Sequence, residues 1–194
     1  MSQIEHGTVE PITGKYVHVN VDGTDHRIYV EESGPEDGIP LLCQHTAGCN
    51  NQEWRHVLTD AEITEDFRVI AYDLPFHGKS VPPTSEEWWA EDYTLTAEQF
   101  AATIVGIADA LDLDEPVYMG SSMGGNITLE LLDWYADRFR ALIGLECGAY
   151  SPGFYIDWLD QCPRQYDGGQ RVLVLGLDGE TEPGTDPPRD DVSL

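Results

Sequence analysis

The chain has 194 residues, of which 36 are acidic and ten are basic, so its formal net charge is −26. A surface with this charge repels nucleic acid and anionic membranes, which excludes the functions that depend on binding them. Hydrophobic residues make up 41% of the chain, a share that predicts a folded domain rather than general disorder. The acidic excess instead predicts adaptation to high salt, where added ions screen self-repulsion.

Location and cofactors are predicted from what the sequence lacks. The amino terminus has no basic region followed by an apolar core, and no apolar run reaches the ~18 residues of a membrane span. We therefore expect a soluble, cytoplasmic protein. The four cysteines lack C-x-x-C spacing, which predicts reduced thiols and no metal site. They are Cys43, Cys49, Cys147 and Cys162.

The amino-terminal part predicts a β-hairpin followed by a buried strand. Apolar and polar residues alternate with a period of two over 15–21 and again over 26–32. Asp22-Gly23 between them is a hairpin turn signal, so we expect two antiparallel edge strands. The short apolar run at 40–44 is typical of a strand buried on both faces.

The middle of the chain alternates predicted strands with predicted helices. Apolar runs predict further strands at 67–72, 117–119 and 140–145. Helical spacing predicts helices at 51–58 and 100–111, the second opened by a capping box between Thr96 and Gln99. This alternation predicts an α/β fold with a mostly parallel sheet and helices on both faces.

The carboxyl-terminal part differs in composition. We place the core and the start of a cap in residues 1–162, and an atypical tail in residues 163–194. Residues 171–175, R-V-L-V-L, predict one strand within this tail. The stretch after them is rich in acidic residues, proline and glycine, which predicts disorder.

The pentapeptide G-S-S-M-G at 120–124 fits G-x-S-x-G, the nucleophile elbow. An apolar run precedes it and a helical apolar pattern follows it, as the strand–turn–helix of an elbow requires. The turn predicts a strained backbone at Ser122, with its hydroxyl at the carboxyl end of the sheet. The flanking glycines leave room where a Cβ atom would clash.

Three motifs resemble those of the α/β-hydrolase family and stand in the family's order. H-T-A-G at 45–48 resembles the oxyanion loop after the third strand. D-L-P-F-H-G-K-S at 73–80 resembles the D-x-x-G-x-G-x-S loop, with Phe76 in place of a usual glycine. G-S-S-M-G-G at 120–125 is similar to the elbow. The resemblance covers residues 15–160.

The resemblance implies a serine-type hydrolase that uses no metal or organic cofactor. Ser122 would be the nucleophile, and the backbone N–H groups of Ala47 and Met123 would form the oxyanion hole. The substrate would be a small molecule with an ester, a thioester or a carbon–carbon bond next to a carbonyl. A serine at this position argues against the epoxide hydrolases and haloalkane dehalogenases of the family, which use a carboxylate.

The family places its acid and then its histidine after the nucleophile, but no histidine follows Ser122 here. His45 and His77 are weak candidates for the base. Asp178 and Glu146 are the candidates for the acid. The chain therefore resembles a family member truncated at its carboxyl terminus, and the alternative function is a non-catalytic remnant or interaction protein.

A sheet without the family's last strands would leave an open edge beside the sixth or seventh strand. Open edges pair readily with other chains, so we expect either a homodimer or aggregation.

Overall fold

The computed structural model describes residues 9–80, 82, 87–90, 94–148 and 172–175. Within these residues the chain forms a seven-stranded sheet in the order β1-β2-β4-β3-β5-β6-β7. The strands are β1 (Thr13–Val21), β2 (Thr24–Ser33), β3 (Ile39–Gln44), β4 (Phe67–Tyr72), β5 (Val117–Ser121), β6 (Ala141–Leu145) and β7 (Val172–Leu175). The helices are α1 (Arg55–Thr59), α2 (Ile63–Asp66), α3 (Ala97–Ala110), α4 (Met123–Asn126) and α5 (Thr128–Tyr135). Single 3₁₀ turns cover Asn51–Trp54, Trp88–Ala90 and Ala136–Arg138.

The sheet is mostly parallel, as predicted from the alternation of strands and helices. Strands β3 to β7 run parallel to one another, whereas β1 pairs antiparallel with β2 and β2 pairs antiparallel with β4. The prediction that both hairpin strands lie at an edge is therefore wrong for β2. Polar and apolar residues alternate along β2 because one of its faces is polar. An inner strand with antiparallel neighbours shows the same alternation as an edge strand, so the pattern does not distinguish the two positions.

Buried side chains pack on both faces of the sheet, which confirms helices on either side. Successive side chains of a strand point to opposite faces of the sheet, so alternate residues of one strand pack in the two cores on either side of it. Leu42 of β3 packs in the core under α3 and α5, with Ile104 and Leu131. Its neighbour Cys43 packs in the opposite core, with Trp54.

Helix α3 begins at the predicted capping box. The Thr96 hydroxyl accepts the Gln99 N–H at 3.2 Å, and the Gln99 side chain accepts the Thr96 N–H at 3.3 Å. Gly106 then lets the helix close on β1, because a Cβ atom there would overlap the Val19 side chain.

The remaining sequence predictions concern the chain after residue 148, of which the structure describes only residues 172–175. The strand predicted at 171–175 is confirmed as β7, which pairs in parallel with β6. The start of the cap, Asp178, Cys162 and the predicted disorder of the tail lie outside the described residues. In the described part of the chain, no helix is long and apolar enough to cross a membrane.

Glu130 is a buried carboxylate on α5. Its side chain is 3% exposed, and neither oxygen has a hydrogen-bond partner of normal geometry among the described residues. The pKa of this carboxyl is raised to about 7, mainly by burial and in smaller part by the nearby Asp133 and Glu98. The folded protein thus favours the protonated form over a pH range in which the unfolded chain is ionised.

We expect the stability cost of Glu130 to appear as pH rises. Below about pH 4.5 the carboxyl is neutral in both states; between there and pH 7 only the unfolded state ionises, so stability falls. Relative to wild type, Glu130→Gln should gain about 2–3 kcal/mol of unfolding free energy across this interval. Urea unfolding at pH 4.5 and pH 8 measures it. Glu65→Gln, at an exposed site on α2, is the control. A Glu130→Gln difference that does not change with pH contradicts the prediction.

Candidate active site

Ser122 joins β5 to α4 in a strained conformation. Its backbone has φ 50° and ψ −109°, a region that residues with a Cβ atom rarely adopt. Its N–H donates to the carbonyl of Leu145 on β6 at 2.8 Å, and its carbonyl accepts the N–H of Asn126 at 2.8 Å. The sharp strand–turn–helix predicted from the motif is confirmed.

Two glycines allow the close contacts of this turn. A Cβ atom on Gly120 would overlap the carbonyl oxygen of Gly124. A Cβ atom on Gly124 would lie 2.5 Å from Cγ and 2.9 Å from the carbonyl oxygen of Gln44. Only glycine at both positions lets β5, α4 and the end of β3 meet.

A buried tyrosine under the turn was missed by the sequence analysis. Tyr118, on β5, donates its hydroxyl to the carbonyl of Gly124 at 2.8 Å, and burial raises the pKa of this phenol well above its usual value. Thr128 donates its hydroxyl in the same way to Gly125 at 2.7 Å. A tyrosine within a buried apolar run was the available signal, because a buried phenol requires a partner.

The loop after β3 lies beside the turn. Gln44 and Gly120 are paired positions on neighbouring parallel strands, so both loops leave the same edge of the sheet. The Thr46 N–H donates to the Glu53 carboxylate at 2.7 Å, and the Cys49 N–H closes a turn onto the Thr46 carbonyl at 3.3 Å.

Ala47 is exposed at the tip of that turn, and Met123 opens α4. Within the residues that the structure describes, neither backbone N–H donates a hydrogen bond. Both amides thus remain able to bind an acceptor at the edge of the sheet where Ser122 lies.

His45 has a structural role. Its side chain is fully buried; Nδ1 donates to the Thr46 carbonyl at 2.7 Å and Nε2 accepts the Leu74 N–H at 3.1 Å. These bonds fix the neutral tautomer, and burial lowers the pKa of the ring below its usual value. With both nitrogens engaged, His45 does not serve as a base for Ser122. His77 packs against it, with ring centroids 5.1 Å apart, and its Nδ1 lies 2.9 Å from the Pro75 carbonyl.

Asp73 organises the loop after β4. Its fully buried carboxylate accepts the N–H of Asn51 at 2.7 Å and that of Lys79 at 2.6 Å. A Cβ atom on Gly78 would overlap this carboxylate, so the glycine of the motif makes room for it. Asp73 therefore connects the loops after β3 and β4. In the sequence, only the motif at 73–80 indicates such a role.

The two acid candidates are placed differently. Glu146 follows β6 directly, is exposed and has φ 51°. It comes immediately after Leu145, whose carbonyl holds the Ser122 N–H. Asp178 lies outside the described residues. Among residues 9–80, 82, 87–90, 94–148 and 172–175, no group of histidine, cysteine or acidic side chains is arranged to hold a metal ion.

Comparison with known proteins gives consistent likenesses. The family model described as alpha/beta hydrolase fold matches residues 39–175. A 2-hydroxy-6-oxononadienedioate/2-hydroxy-6-oxononatrienedioate hydrolase from Burkholderia vietnamiensis is 27% identical over 152 residues, which cover 76% of this chain and 49% of that protein. A non-heme chloroperoxidase from Streptomyces lividans is 30% identical over 104 residues, which cover 54% of this chain and 34% of that protein. The solved structure of a thermophilic esterase from Thermogutta terrifontis matches with a TM-score of 0.59 and 24% identity. The match covers 72% of this chain and 48% of the esterase chain.

The chain spans about half the length of these relatives or less. The likeness to the esterase, at this low identity, concerns the fold alone. The family match covers strands β3 to β7, the turn at Ser122 and the loops after β3 and β4 described above.

Proposed function

We propose, since this chain belongs to the α/β-hydrolase fold family, that it carries the nucleophile and the oxyanion hole of a serine-type hydrolase. The substrate would be a small molecule with an ester, a thioester or a carbon–carbon bond next to a carbonyl. The observation that carries the proposal is the backbone of Ser122, held at φ 50° between β5 and α4. A strained residue persists where the surrounding structure enforces it, and such residues cluster at functional sites.

The proposed chemistry proceeds through an acyl-enzyme. The Ser122 Oγ attacks the substrate carbonyl, its proton passes to a base, and the carbonyl oxygen becomes an anion bound by the N–H groups of Met123 and Ala47. Collapse of this intermediate expels the leaving group with a proton, and water then releases the acid and restores Ser122. Removing one donor of such a pair typically costs about 3–4 kcal/mol of transition-state stabilisation.

The proposal assigns no base within these 194 residues. The six histidines all precede Ser122, and both nitrogens of His45 are engaged. Glu146 is the acid we favour, because it directly follows β6, the strand that pairs with β5 beside Ser122. Asp178 stays the alternative.

These same observations favour a second candidate function, a non-catalytic member of the family that acts through binding. A serine hydroxyl without a base is a poor nucleophile at neutral pH. The strained turn would then be retained as architecture alone.

Labelling with a fluorophosphonate, which reacts with activated serines, distinguishes the two. We expect folded wild-type protein to be labelled in a buffer rich in KCl, and Ser122→Ala to remain unlabelled. Ser121→Ala is the matched control, since Ser121 is the preceding residue and makes no comparable turn. If folded wild-type protein resists the reagent, the binding function is favoured.

A further inference from the structure

We propose that the site selects its substrate by charge, accepting neutral or cationic acyl compounds and disfavouring carboxylates. This inference rests on the proposed function and adds a substrate class to it. It follows from the acidic side chains on either side of Ser122 and from where the cations of the described residues are held.

Glu146 provides the negative charge on the β6 side. The Ser122 N–H is bonded to Leu145, and Glu146 is the next residue, exposed to solvent. The backbone of Glu146 has a φ of 51°. In the loop that follows, the Gly148 N–H donates a hydrogen bond to the Asn126 side chain of α4 at 3.3 Å. The carboxylate is therefore carried by backbone fixed to the nucleophile's own turn.

Glu53 provides the negative charge on the β3 side. Its carboxylate accepts the Thr46 N–H at 2.7 Å, one residue before the proposed oxyanion donor Ala47. The side chain is exposed, so its charge acts on the solvent through which a substrate approaches. Acidic side chains thus stand at the surface on both the β3 side and the β6 side of Ser122.

The described cations nearest in sequence to this edge are held by partners. Arg55, in α1, is paired with Glu10. Lys79, at the end of the β4 loop, bonds the hydroxyl of Tyr29 at 3.0 Å and Glu31 at 3.2 Å. Arg140 precedes β6 and so lies at the opposite, amino end of that parallel strand.

The residues that follow the loop after β4 in the sequence are also acidic overall. Residues 81–93 contain four acidic side chains and no lysine or arginine. With a net charge of −26 over the whole chain, we expect a carboxylate that approaches Ser122 to be repelled within the screening length of the buffer. The substrate of the Burkholderia vietnamiensis relative, a dioate by its name, is therefore a poor guide to the substrate of this chain.

Salt provides the signature of this selection. The screening length is about 10 Å at 0.1 M and about 3 Å at 1 M ionic strength, so a preference based on charge weakens as KCl is added. A preference based on shape does not respond in this way.

The test uses three fluorophosphonates of matched chain length, ending in a trimethylammonium, a methyl or a carboxylate group. At 0.1 M KCl we expect the carboxylate reagent to label folded protein about ten-fold more slowly than the methyl reagent, and the difference to shrink at 1 M. Glu146→Gln should bring the labelling rate of the carboxylate reagent closer to that of the methyl reagent. Loss of the catalytic acid alone would slow all three reagents alike, and that result overturns the part of Glu146 in the charge selection.

Each outcome has a distinct meaning. Equal labelling by the three reagents, or faster labelling by the carboxylate, overturns the charge selection and leaves the serine hydrolase proposal standing. Folded protein that none of the three labels overturns the proposed function, and the charge selection with it.

Discussion

Gly120→Ala is expected to destabilise the native fold more than any other single substitution considered in this chain. The added methyl group would overlap the carbonyl of Gly124 and approach the N–H of Gly125 to 2.9 Å. These are backbone atoms at the start of α4, so no change of side-chain rotamer relieves the contact. We expect a loss of about 4 kcal/mol or more, a large part of the 5–15 kcal/mol that stabilises a typical domain.

Circular dichroism and urea unfolding measure this loss. Gly23→Ala is the matched control, since a Cβ atom there meets nothing within 4 Å and the cost is limited to its φ of 87°. That variant should lose only about 1 kcal/mol. A Gly120→Ala protein as stable as Gly23→Ala would mean that the turn at Ser122 is looser than described.

Asp73→Asn should be the most damaging polar substitution in the described part of the chain. The carboxylate accepts two backbone N–H groups at 2.7 and 2.6 Å in a fully buried site. Asparagine keeps one acceptor oxygen but turns its NH₂ toward the other donor, leaving a buried N–H unpaired. We expect a loss of about 3 kcal/mol of unfolding free energy.

Asp60→Asn is the control for this prediction. Asp60 also accepts two backbone N–H groups, from Glu62 at 2.9 Å and Ile63 at 3.2 Å, but it is exposed. Both N–H groups bind the same oxygen, Oδ1, which asparagine retains, and water reaches the site, so the loss should stay below about 1 kcal/mol. Equal losses in the two variants would contradict the cost expected for an unpaired N–H group beside Asp73.

The parallel core was predictable from the sequence because each strand is a local signal. The runs at 40–44, 67–72 and 140–145 correspond to β3, β4 and β6 within one residue at either end. A strand buried on both faces must be apolar throughout, and that demand is visible in any short window. The neighbour of β2 was not predictable, since its pairing with β4 joins residues about 40 apart and no local pattern encodes it.

The site was predictable only where a motif marks it. Ser122 is found from five consecutive residues. The roles of Asp73 and His45 depend on bonds to Asn51 and Leu74, which lie 22 and 29 residues away along the chain. Tyr118 looked like one more apolar residue, because the carbonyl that it binds becomes available only after α4 has formed.

Two further expectations, one from composition and one from the open edge of the sheet, stay predictions. Adaptation to high salt would appear as a melting temperature that rises with KCl, because screening relieves the repulsion among 36 acidic residues. The homodimer would appear in light scattering.

The most direct measurement is to identify the residue that a fluorophosphonate modifies, by mass spectrometry of the digested adduct. The account predicts a single adduct on Ser122, whose hydroxyl stands at the turn between β5 and α4. An adduct on Ser121 or on any other residue, or folded protein that stays unmodified, contradicts it.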